Sequence, residues 1–158
     1  MKYEPAPDIQ AIADEISKAL FPHVDLTRLK CFRSYGSSSR GTVARCHALG
    51  KLIQEAIGIR AVYALEFIHE RFDKMNKEEQ LKVIIHELMH IPTTFGGGFR
   101  HHDHVCETNV NKCYRAYREK KRIIEDSDFL GLKELKWKNQ DNIKKVKDLF
   151  ENAKKGFF

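Results

Sequence analysis

A chain of 158 residues with 42% apolar side chains has enough material for one core and needs no disulfide to close it. Its four cysteines, Cys31, Cys46, Cys106 and Cys113, form no C-x-x-C pair; this excludes a zinc ribbon and fits reduced core thiols in a reducing compartment. The net charge of +6 is spread among acids, so it predicts a solubilising surface and no more than weak, non-specific nucleic-acid contact, and no apolar run reaches the length of a membrane span.

The elements follow in chain order. Lys2, Glu4 and Asp8 interrupt any secretory leader, so a cytoplasmic protein is expected. Residues 8–21 predict a helix, with a start signal at Pro7-Asp8 and one apolar face through Ile9, Ile12, Ala13, Ile16 and Leu20. Leu29 to Tyr35 alternates and predicts a short strand. Gly36 to Gly41 predicts a loop, whose serines with Arg33, Arg40 and Arg45 suggest either a phosphate cradle or, as the better reading, a cap for the next element. Thr42 to Ile57 reads as a second helix closed by Gly58. Ala61 to Phe72 is the best strand candidate, with Ala64, Glu66 and Ile68 on one face and Tyr63, Leu65 and Phe67 on the other.

Asn76 caps the next predicted helix, Glu78-Glu79 complement its dipole, and Pro92 stops it after about Ile91. A loop from Thr93 to His102 contains Gly96-Gly97-Gly98. A helix then runs from Asp103 or His104 to about Glu125. The last predicted helix covers roughly Gln140 to Lys154, preceded by Trp137 among Lys133, Lys136 and Lys138. One domain over 1–158 is expected, with its core at about 8–125 and a helical extension at about 126–158.

The chemistry concentrates in His86-Glu87-Leu88-Met89-His90. Two histidines four apart on a helix share a face, and both imidazoles can reach one ion. Such a pair suits zinc, one ion per chain, and Glu87 is placed to take a proton from a water at the open position. The apolar run Val83, Ile84, Ile85, Leu88 and Met89 makes an idle histidine pair costly there. A third ligand must come from elsewhere. His102 and His104 follow a Gly-rich turn, His101 stands between, and Glu107 shares a helical face with His104. The third histidine of a metzincin would fall at Gly96, so that class is excluded.

The segments Arg33-Ser34-Tyr35-Gly36-Ser37, the strand with Tyr63, His86 to Pro92, and Phe95 to His102 together resemble the phage metallopeptidase family, found largely in archaea and their viruses. The likeness covers roughly Leu29 to Val110. Where that family reads Gly-Gly-Leu-Arg-Pro-His, this chain has Gly97-Gly98-Phe99-Arg100-His101-His102, with a histidine in place of the proline. The resemblance implies His102 as third ligand, with His101, His104 and Glu107 as competitors. It implies an α+β, zincin-like fold: a small sheet, an active-site helix and flanking helices, similar in outline to SprT-like proteases. In that plan an exposed edge strand pairs with the substrate backbone. Ala61–Phe72 is the candidate, which makes Glu66 and Phe67, with Arg100, the expected substrate contacts. The implied activity is peptide-bond hydrolysis with Glu87 as general base and a peptide or protein as substrate. The alternative is a nucleic-acid-associated protein with a structural or vestigial metal site; a purely structural site has no use for the carboxylate of Glu87.

Overall fold

The computed structural model describes residues 1–129. The predicted helix at 140–154 and Trp137 with its lysines lie outside the described residues. The chain divides into two compact units, Met1–Arg118 and Glu119–Phe158, and the sheet and the candidate site belong to the first.

Four strands form the sheet in the order β1-β2-β4-β3. They are β1 (Lys2–Pro5), β2 (Leu29–Tyr35), β3 (Ala44–Ala48) and β4 (Tyr63–Ile68). β2 lies parallel to β4, while β1 and β3 join antiparallel at the two edges. The alternation read in β2 and β4 is that of a sheet covered on one side. Leu29, Cys31, Tyr63, Leu65 and Phe67 are buried in the core that packs under the helices. Glu66 and its neighbours face the other way.

Helix α1 (Pro7–Leu20) starts with proline in its first turn and buries Ile9, Ala13 and Ile16, a stripe spaced to face one side. Helix α4 (Lys77–Met89) opens with a full capping box, Asn76 accepting from the Glu79 N–H while Glu79 accepts from the Asn76 N–H. It buries Ile84, Ile85, Leu88 and Met89, which fixes the rotation of His86, Glu87 and His90 about the helix axis. Two short helices, α2 (Lys51–Ile57) and α3 (His69–Phe72), and the long α5 (Glu107–Phe129) complete the described elements, with a 3-10 turn at Leu26–Arg28 capped by Asp25. Among the described residues no helix is long and apolar enough to cross a membrane.

Three expectations are corrected. The span Thr42–Ile57 is not one helix: β3 occupies Ala44–Ala48, and α2 starts only after Gly50, ending at Gly58 with φ +69°. Ala44, Cys46 and Ala48 alternate with Arg45 and His47, and a ladder with β4 overrides the helical preference of alanine. Second, the strand in Ala61–Phe72 is shorter, because His69–Phe72 turns into a helix that buries Phe72. Third, β4 is no edge strand, since it is paired with β2 on one side and β3 on the other. The residues before the first helix, unassigned from sequence, form the outer strand β1.

Candidate metal centre

His86 sits in the last turn of α4, and His90 is its C-terminal capping residue. Their Nε2 atoms are 3.3 Å apart. His102 arrives from the loop after Pro92, and its ring centroid is 5.0 Å from that of His90 and 5.7 Å from that of His86. One nitrogen from each of the three lies within 4.8 Å of the others, the group among the described residues whose His, Cys or acidic side chains could hold a metal ion. His101 lines the same cavity without joining the group; His104 and Glu107 stay outside it.

The hydrogen bonds around two of the rings set which nitrogen is free. His90 Nδ1 is 2.7 Å from the Arg100 carbonyl and His102 Nδ1 is 3.3 Å from the Val105 carbonyl. A carbonyl only accepts, so each Nδ1 carries the proton and each Nε2 keeps its lone pair. Such a bond from the far ring nitrogen to a carbonyl fixes the orientation of metal-binding histidines. Burial, then the neighbouring imidazoles, hold His86 below the usual histidine range, and burial does the same for His90. Neutral imidazoles are the form that binds a metal. At 3.3 Å the Nε2 atoms of His86 and His90 need a proton or a cation between them, and with the His102 imidazole beside them the donor set fits a metal ion.

Glu87 lines the same cavity, of about 350 Å3, and is 6% exposed. Burial pushes its carboxyl up to about 7, against the opposing pull of the Cys46 backbone amide. A carboxyl poised there can accept or release a proton at neutral pH.

The wall opposite α4 is β3, inside the span expected to be helical. Ala44 and Cys46 line the cavity. The Val43 carbonyl accepts from Ile68 N–H at 2.8 Å and the Leu49 N–H donates to Val62 at 2.9 Å. By the alternation of an antiparallel ladder, the N–H and C=O groups of Ala44, Cys46 and Ala48 then point away from β4, toward the free edge. The signal for this strand was Arg45 and His47 alternating with small residues.

The expected substrate contacts fare differently. Phe67 is fully buried in the core and cannot touch a substrate. Glu66 is 3% exposed on the far side of the sheet, where Arg45 donates to it at 3.1 Å and His47 Nε2 lies 2.7 Å from it. Both contacts require β4 to be an edge, and it lies inside the sheet. Arg100 does line the cavity, as does the half-exposed Phe99. Two of the three arginines of the suggested phosphate cradle are committed elsewhere: Arg33 to Asp8 and Asp73, Arg45 to Glu66.

A family model described as "Putative phage metallopeptidase" matches residues 1–128. No curated protein and no solved structure matches the chain. The family match takes in the whole sheet, α4 and all three clustered imidazoles, and the chain belongs to the phage metallopeptidase family.

Proposed function

We propose that the protein is a zinc-dependent peptidase in which His86, His90 and His102 hold the ion and Glu87 is the general base. The observation that carries this reading is the three imidazoles converging beside a buried carboxylate. Two nitrogens bound to one tetrahedral zinc at the usual distance stand about 3.3–3.4 Å apart, and the His86–His90 spacing of 3.3 Å supports that ion. Bound there, zinc would supply Lewis acidity that makes a water more acidic and polarises a peptide carbonyl.

The remaining work falls to the chain's own groups. Glu87 accepts the proton of the attacking water and passes it to the leaving amine nitrogen. The free edge of β3 receives the substrate backbone in extended form, with Ala44 offering a main-chain donor and acceptor and Cys46 its carbonyl, while the Cys46 amide faces Glu87. Small side chains at Ala44 and Ala48 leave room for that approach.

The test compares wild type with Glu87→Gln for zinc content and for cleavage of an unfolded protein such as casein. The expected outcome is equal zinc, one per chain, and a rate lower by at least about 10²–10⁴ in the variant. Equal cleavage by a zinc-loaded variant would remove Glu87 as the base. A wild type that holds no zinc after reconstitution would remove the metal reading.

A further inference from the structure

Two of the three clustered imidazoles are set by the rotation of α4, but His102 depends on a loop. That loop is held by side chains that touch none of the candidate ligands. The Tyr63 hydroxyl accepts from Gly97 N–H at 2.9 Å and donates to the Gly98 carbonyl at 2.8 Å. Its ring packs against Phe95 and Phe99, with centroids at 4.7 and 6.3 Å. Gln54 of α2 donates to the Leu49 carbonyl at 2.6 Å and to the Gly96 carbonyl at 2.9 Å.

Neither residue type is what core packing alone would select. Tyr63 is fully buried, where a phenol hydroxyl is costly without partners, and both of its partners lie in this loop. In α2 the usual amphipathic order is reversed: Leu52 and Ile53 are 80% and 49% exposed, while the amide of Gln54 is buried. Gly97 between them has φ +98°, and a Cβ on it would collide with the Gln54 side chain and the Leu49 carbonyl. The loop is therefore seated tightly on both grips. Beyond them Arg100 is bonded to His90 through N–H and C=O, and His102 follows two residues later.

We propose that Tyr63 and Gln54 are positioning residues for the third imidazole, holding Gly96 to Gly98 so that His102 meets His86 and His90. The proposal rests on the reading that those three histidines bind a metal. Without the grips the loop relaxes, His102 leaves the cluster, and a two-histidine site remains. Loss of the Tyr63 hydroxyl and loss of the His102 ring are then the same lesion, and together they do no more harm than either alone.

The experiment measures zinc affinity of the full chain by competition with a chromophoric chelator, together with the visible spectrum of the cobalt(II) form. Tyr63→Phe is expected to weaken zinc by about 10–100-fold and to shift the cobalt spectrum in the way His102→Ala does. The double variant is expected to bind within about twofold of His102→Ala, since residues acting through one group are not additive. Wild-type affinity in Tyr63→Phe, or losses that multiply in the double variant, would overturn the proposal. Where Tyr63→Phe does not fold, Gln54→Leu undergoes the same measurements with the same expectations. A wild type without zinc overturns the metal reading itself, and is told apart because the variants are then no different from it.

Discussion

His90 and Arg100 hold each other by two reciprocal hydrogen bonds: the Arg100 N–H donates to the His90 carbonyl at 2.8 Å, and His90 Nδ1–H donates to the Arg100 carbonyl at 2.7 Å. The pair ties the end of α4 to the loop that delivers His102, and it turns the Nε2 lone pair of His90 toward the cluster. Both bonds use only the main chain of Arg100. Arg100→Ala is therefore expected to keep zinc affinity at the wild-type level, whatever it does to substrate binding. His102→Ala is expected to weaken zinc more than His101→Ala or His104→Ala, because only His102 joins His86 and His90 within 4.8 Å. Chelator competition on the four variants checks the order, and a larger loss in His104→Ala than in His102→Ala would assign the third ligand elsewhere.

Glu87 carries a stability cost that its replacement should reveal. Its folded carboxyl titrates at about 7 against an ordinary value of 4.5. Between those values the folded chain keeps a proton that the unfolded chain releases, so this group's contribution to stability falls as pH rises through the window. The gap corresponds to a little over about 3 kcal/mol at the top of it. Metal-free Glu87→Gln should thus be more stable than wild type by that order at pH 7.5, and the advantage should vanish near pH 4.5. Denaturant midpoints in the presence of a chelator measure it; equal midpoints at pH 7.5 would mean that the carboxylate is solvated. A buried carboxyl that costs the fold stability and lines a cavity beside three imidazoles is the environment in which functional groups are found.

The parts of this fold that were legible in the sequence are those where local and tertiary signals agree. The α4 signals of Asn76, the Glu pair and Pro92 gave the helix that presents His86 and His90. The strand at Leu29–Tyr35 was readable because half of it faces a core. β3 was not readable: Ala-Arg-Cys-His-Ala has weak strand preference, and its conformation comes from the ladder with β4, a partner about twenty residues away. That one error made β4 look like an edge and sent the substrate contacts to Glu66 and Phe67. His102 was reached by resemblance, since the grip of Tyr63 on Gly97 and Gly98 is a contact across 34 or 35 residues.

Arg33 is expected to matter for the fold and not for the metal. Its Nη atoms donate to both oxygens of Asp8 at 2.6 and 2.7 Å, and its Nε donates to Asp73 at 3.0 Å. This joins the start of α1, β2 and the turn after α3. Its hydrogen bond to Asp8 holds that carboxyl below the usual aspartate range. The stabilisation is therefore full above the ordinary aspartate value and is lost as pH falls through the lowered one. Arg33→Leu should cost about 1–2 kcal/mol at neutral pH, less than a buried pair because Asp8 is largely exposed. Its zinc affinity should equal that of wild type, and a shared loss of both would place Arg33 in the site's support.

The free edge of β3 makes a prediction with a period. If a substrate lies along β3 as an added strand, every second residue of the peptide points its N–H and C=O at the main chain of Ala44 or Ala48 or at the Cys46 carbonyl, and the residues between point theirs at solvent. Replacing single amide hydrogens by methyl groups along a peptide that the enzyme cuts should then alternate in effect. Methylation facing β3 removes a hydrogen bond and leaves a strand carbonyl unpaired, a loss of about 1–3 kcal/mol or roughly 5–150-fold in kcat/KM. Methylation at the intervening residues leaves those bonds intact and should be tolerated, away from the scissile bond itself. The series is read on kcat/KM with the cleavage site mapped for each peptide. A flat response would show that the backbone is not read by a strand edge. A response confined to one residue would instead point to a single side-chain pocket, such as that beside Phe99. Alternation over at least four residues is the outcome that ties recognition to β3, because no isolated pocket produces a period of two.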